Sequence, residues 1–101
     1  MCIGAPAVVL DVDYENMIAS VDYGDGIPRT VIIGILDQII KRGELVIVHA
    51  GVIVSKITEE ELIEQVEFFR ELLGEDIQLT QIYRQLIETH RKITQAVKDH
   101  N

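Results

Sequence analysis

The residue of this chain best suited to covalent or metal chemistry is Cys2, its only cysteine, in the opening stretch MCIGAP. The thiolate is both a nucleophile and a soft metal ligand. Cysteines inside a chain are commonly buried and structural, whereas a terminus usually lies at the surface. The small second residue predicts removal of the initiator methionine. Cys2 would then carry a free α-amine whose protonated form favours the thiolate. Gly4 permits close approach of another backbone, and Pro6 fixes the direction in which the chain leaves. By itself, a lone terminal thiol is also consistent with no chemical role.

His49 closes the apolar run LVIVH. It reads either as a strand-end histidine satisfied by backbone, or as a donor or acid–base group beside the thiolate. The second reading requires that strand end to lie next to the N-terminus. His90 reads as packed or interfacial, and His100 as solvated. Asp11, Asp13 and Asp22 alternate with apolar residues and predict a solvent-facing row; Asp25 belongs to a turn. No P-loop, dinucleotide fingerprint, HExxH, CxxC or GxSxG stretch is present. One cysteine and scattered histidines lack the spacing of a closed zinc site. An enzyme using Cys2 as nucleophile, activated by its own amine or by His49, is the competing chemical reading.

The elements that must position these residues follow from composition and period. The 101 residues, 48% hydrophobic and without tryptophan, suit one domain with a core of Ile, Val and Leu. A net charge of −8 argues against nucleic acid, which needs a basic stripe. One cysteine forms no internal disulfide, and no apolar run approaches the ~20 residues of a membrane helix. Residues 1–10 lack the basic region and cleavage site of a secretory signal. These features predict a cytoplasmic protein.

Runs rich in β-branched residues at 7–13, 17–22, 29–33, 44–49 and 52–57 predict five strands. Tyr23-Gly24-Asp25-Gly26 marks a turn, and the 36–44 stretch between the third and fourth strands predicts a helical turn. Five short strands at this spacing predict a small closed β-barrel. From Thr58 the period becomes helical: Thr58 and Glu61 form a capping box. Leu62, Val66, Phe69 and Leu73 make one apolar stripe, and Gly74 the stop. A second helix is predicted over about 79–98, with seams Leu79/Leu86/Ile93 and Tyr83/His90/Val97. The boundaries are thus a barrel at 1–57 and a helical segment at 58–101, within a single compact domain.

Taken together, MCIGAP (1–6), GELVIVHAG (43–51) and ITEEEL (57–62) resemble the HypC/HupF/HybG family of nickel–iron hydrogenase maturation chaperones. Met1 to Pro6 match the family's opening position by position. Gly43, Glu44, Val48, His49 and Gly51 match its second signature, a Gly-acidic pair leading into a strand that ends Val-His-x-Gly. The resemblance covers roughly residues 1–75.

It implies an OB-like five-stranded barrel followed by C-terminal helices, acting as scaffold and carrier rather than enzyme. It further implies that the chain works with the iron–sulfur protein HypD, on which the Fe(CN)2CO group is assembled, and with the hydrogenase large-subunit precursor. Carried over by position, Cys2 binds the transient iron group and His49 is associated with that site. Cys2, Ile3, Gly4, Ala5 and Pro6 contact partners. No permanently bound cofactor, nucleic acid or membrane is implied. Two features depart from the family: Val52 and Ile53 stand where an aromatic and an alanine are usual, and the 76–101 tail is longer than many members carry. Its apolar seam has three possible surfaces to meet: the first helix, the barrel or another subunit.

Overall fold

The five apolar runs become five strands: β1 (Ala5–Asp13), β2 (Ile18–Asp22), β3 (Pro28–Ile33), β4 (Leu45–His49) and β5 (Val52–Ile57). The computed structural model describes the backbone of residues 4–73 and 77–99, and the side chains of these except 69, 70, 73, 77–80 and 96–99. The expectations placed on Cys2, Ile3, Gly74 and His100, and on the side chains of Phe69, Leu73, Leu79 and Val97, lie outside these residues.

The strands close in the order β1-β2-β3-β5-β4, with β4 returning to β1. Neighbours are antiparallel except β3 and β5, which pair in parallel through Ile32↔Val52 and Ile33↔Ile53. This is the expected OB-like barrel, and closure removes the exposed edges that such apolar strands would otherwise present.

Side chains at alternate positions fill the interior: Ala7 and Val9 from β1, Ala19 and Val21 from β2, Val31 and Ile33 from β3, Val46 and Val48 from β4, and Ile53 from β5. On the outside of β1 and β4, Val8 and Leu45 join Leu62, Tyr83 and Leu86 in a second core. These two strands are therefore covered on both faces, which explains why AVVL and LVIV are continuous apolar runs without alternation.

Helix α1 (Glu59–Leu73) starts on the predicted capping box. The Glu61 amide donates to Thr58 Oγ1 at 3.1 Å, and the Thr58 amide donates to Glu61 Oε1 at 3.1 Å. Helix α2 (Ile77–Asp99) packs on the barrel and on α1, which settles the surface its seam meets. It approaches two glycines closely. A Cβ on Gly24 would lie 2.8 Å from the Ile82 carbonyl oxygen, and one on Gly43 would lie 2.9 Å from Ile93 Cγ2. Polar contacts reinforce the docking: His90 Nδ1 donates to the Gly43 carbonyl, and Arg91 reaches Glu59 of α1 through both Nε and Nη2.

Two expectations are corrected. The 36–44 stretch contains no helical turn. Ile35 and Ile40 are buried at the end of the barrel instead, and the Tyr14 hydroxyl accepts from the Ile40 amide while donating to the Ile40 carbonyl at 3.2 Å. An amide engaged in this way is withheld from a helical ladder. Asp22, expected to face solvent, is only 6% exposed. Its Oδ1 accepts from the amides of Gly24 (2.8 Å) and Gly26 (3.0 Å), so the buried carboxylate organises the β2–β3 turn.

Candidate functional site

The site is built where the leading end of β1 meets the trailing end of β4. The register Ala5↔Val48, Pro6↔Ile47, Ala7↔Val46, Val8↔Leu45 lays the two ends side by side. Carried one pair further, it sets Gly4 beside His49. The contact there is tight, since a Cβ on Gly4 would lie 2.3 Å from the Val48 carbonyl oxygen. Such a separation is below any ordinary van der Waals approach, so the absence of a side chain is what lets the arm lie against β4.

Pro6 sits inside this strand without breaking the barrel. Pairing of β1 with β2 begins only at Val8↔Asp22, so the flank of Pro6 away from β4 has no strand to donate to. The next residues, Ala7, Val8 and Val9, are fully buried and anchor the arm to the two cores.

His49 is exposed at the end of β4, immediately before a two-residue turn. Ala50 (φ 51°) and Gly51 (φ 79°) both adopt left-handed backbone, the pattern of a type I′ hairpin whose twist matches the strands it joins. The Ile32 amide donates to the Gly51 carbonyl at 2.8 Å and ties the turn to β3. Among the described residues the His49 imidazole has no hydrogen bond or ion pair, and the residue is exposed at the foot of a braced turn. An exposed imidazole offers hydrogen-bonding nitrogens to a ligand or partner brought to this end. Among the described residues no group of three or more His, Cys, Asp or Glu is arranged to hold a metal ion.

Of the sequence-predicted site residues, Gly4, Ala5, Pro6 and His49 are therefore gathered at one end of the barrel; Cys2 and Ile3 lie outside the described residues. His90 lies elsewhere, docking α2 through the Gly43 carbonyl. The sequence carries a signal for this hairpin, since Ala50-Gly51 is a small residue followed by glycine between two apolar runs. It gave no warning of the Glu59 contact with Arg91, because the two residues are 32 positions apart.

Comparison with known proteins matches this part of the chain. The family model described as the HupF/HypC family covers residues 1–69, which takes in the whole barrel and most of α1 but not α2. A curated relative, hydrogenase maturation factor HypC from Helicobacter hepaticus, is 32% identical over 73 residues, covering 72% of this chain and 83% of that protein.

Proposed function

The chain belongs to the HupF/HypC family, and from that premise we propose that it is a hydrogenase maturation chaperone that carries an Fe(CN)2CO group on Cys2. The group is cargo. It is received on a HypD-like iron–sulfur protein and delivered to the large-subunit precursor of a nickel–iron hydrogenase. Cys2 supplies the iron ligand, His49 lies beside the cargo, and residues 2–6 contact the partners. The chain acts in the cytoplasm, where a lone thiol stays reduced. No helix among the described residues is long and apolar enough to cross a membrane.

The observation that carries this reading is the convergence of two separated motifs. Ala5 and Pro6 of the first pair with Val48 and Ile47 of the second, and Gly4 packs against the Val48 carbonyl next to His49. The chemistry suits the task. Low-spin iron bearing cyanide and carbon monoxide accepts a soft thiolate well. One thiolate gives one exchangeable bond, whereas a full protein cage would hold the iron too firmly to release it. The partner completes the coordination, so this chain needs no further ligand of its own.

The test is an infrared spectrum of the chain purified anaerobically with its HypD-like partner, wild type against Cys2→Ser. Cyanide and carbonyl stretching bands are expected from the wild type, and their loss from a variant with an unchanged thermal melt. His49→Ala is expected to give an intermediate loss. Bands of equal intensity from Cys2→Ser would remove the thiolate from the proposal. Turnover of model esters or amides dependent on Cys2 would favour the nucleophile reading instead.

A further inference from the structure

Four large aliphatic side chains stand out from one flank of the barrel: Leu36 is 87% exposed, Ile39 66%, Ile32 55% and Val54 46%. Single exposed apolar residues are ordinary, but a contiguous group marks an interaction surface. The fold assembles this one. Ile32 and Val54 lie on the outer surface of β3 and β5, which pair in parallel. The Gly34 amide donates to the Ile53 carbonyl at 3.0 Å, so the connection to β4 leaves the sheet beside Val54. Farther along, Lys56 Nζ donates to the Ile39 carbonyl at 3.0 Å and returns the loop to β5. Val54 is the extra residue of a β-bulge: Ile47 pairs with Ser55 and Val48 with Ile53, leaving Val54 with no residue opposite.

The loop is braced in this form. Ile35 and Ile40 are buried, Tyr14 bonds both the amide and the carbonyl of Ile40, and the Gly43 amide donates to the Val9 carbonyl at 2.7 Å. Anchors on both sides of Leu36 and Ile39 hold them in water, so an incoming surface meets them already ordered. Lys41 and Arg42 follow, both exposed and without an ion-pair partner among the described residues; Lys56 beside them pairs with Glu44 at 3.2 Å. With Asp37, this flank has three cations against two carboxylates on a chain of net charge −8.

We infer that this flank is a docking surface for an acidic segment of a partner protein that carries apolar side chains. Leu36 and Ile39 are the anchors, and Lys41 and Arg42 select the charge. The inference rests on the reading of the chain as a partner-binding chaperone and extends the partner footprint beyond residues 2–6. The footprint is continuous with the site, since the Ile32 amide is bonded to the hairpin that carries His49. A bilayer suits it less, because an extended plane of anionic lipid repels the acidic body of the chain. A protein segment engages only charges within a Debye length of about 8 Å.

The test measures affinity of the full chain for the purified HypD-like protein and for the purified large-subunit precursor. The chains compared are wild type, Leu36→Ser/Ile39→Ser, Lys41→Glu/Arg42→Glu and Cys2→Ser. The apolar pair is expected to weaken binding to at least one partner about tenfold or more. The charge pair is expected to weaken it less and to flatten its salt dependence. Both side chains of the apolar pair are exposed, so the thermal melt should not move. Wild-type affinity in both loop variants, with Cys2→Ser impaired, overturns this inference and leaves the carrier reading standing. Absence of wild-type binding to either protein overturns both. Loop-dependent self-association, or loop-dependent pelleting with phosphatidylserine vesicles, in place of partner binding, assigns the flank to another occupant and overturns the inference.

Discussion

Ala50 is a residue in a conformation that costs it energy. Left-handed backbone at φ 51° brings its Cβ against the following carbonyl, at about 1 kcal/mol or more for a non-glycine residue. Asparagine tolerates this conformation and is favoured in such turns. Ala50→Asn is therefore expected to stabilise the fold by about 0.5–1 kcal/mol, read as a rise of a few degrees in Tm. An unchanged or lower Tm would show that the turn is not strained. The two residues flanking this turn, His49 and Val52, were placed correctly by their sequence pattern because the strands on either side are apolar and uninterrupted. The approach of the N-terminal arm to the end of β4 was not legible in the sequence. Nothing local to Gly4 or His49 encodes their approach, which arises from the barrel closing β1 onto β4. Asp22 was misread for a similar reason. Alternation with apolar neighbours described its strand, while the two amides that bury its carboxylate lie beyond the strand's end.

At the scale of elements, α2 is held against α1 and the barrel by both apolar and polar contacts. The Arg91 hydrogen bond to Glu59 holds that carboxyl below the ordinary carboxylate range against a smaller opposing effect of desolvation, with the charges of Arg91 and His90 acting in the same direction as the hydrogen bond. A depressed folded-state value means that folding favours the ionised form. The resulting stabilisation is fully present above the unfolded carboxyl's value and is lost as pH falls through the folded one. Glu59→Gln should consequently melt below the wild type at neutral pH, and the gap should close on acidification below the ordinary glutamate range. A gap independent of pH in thermal melts would assign the effect to packing instead of charge. Both helices were legible from capping and period, since Thr58 and Glu61 are three residues apart and Leu86 and Ile93 seven. The surface that α2 covers was not, because an apolar seam states that it needs a cover without naming it. The 36–44 stretch shows the opposite limit. A helical turn was expected where this stretch interrupts the strand pattern, and tertiary demands on Ile35, Ile40 and the Ile40 amide overrode it.

At the scale of the molecule, β1 belongs to two cores at once. Val9 faces the barrel interior and Val8 faces Leu62, Tyr83 and Leu86. A strand shared in this way couples the helices to the barrel, so unfolding should be one cooperative transition. Leu86→Ala, at a fully buried position, is expected to lower global stability by about 2–5 kcal/mol while calorimetry still shows a single peak. Separate melting of helices and barrel would contradict that coupling. The wedge of Gly4 against the Val48 carbonyl has a further consequence for traffic. Cys2 is two residues from that anchored point, and an extended chain spans at most ~3.6 Å per residue. If Cys2 carries the cargo as proposed, a cargo on its thiol would not swing from a donor protein to a distant recipient. On that reading donor and recipient would both dock at the same end of the barrel and would exclude each other, so delivery would be a sequence of visits to one shared surface.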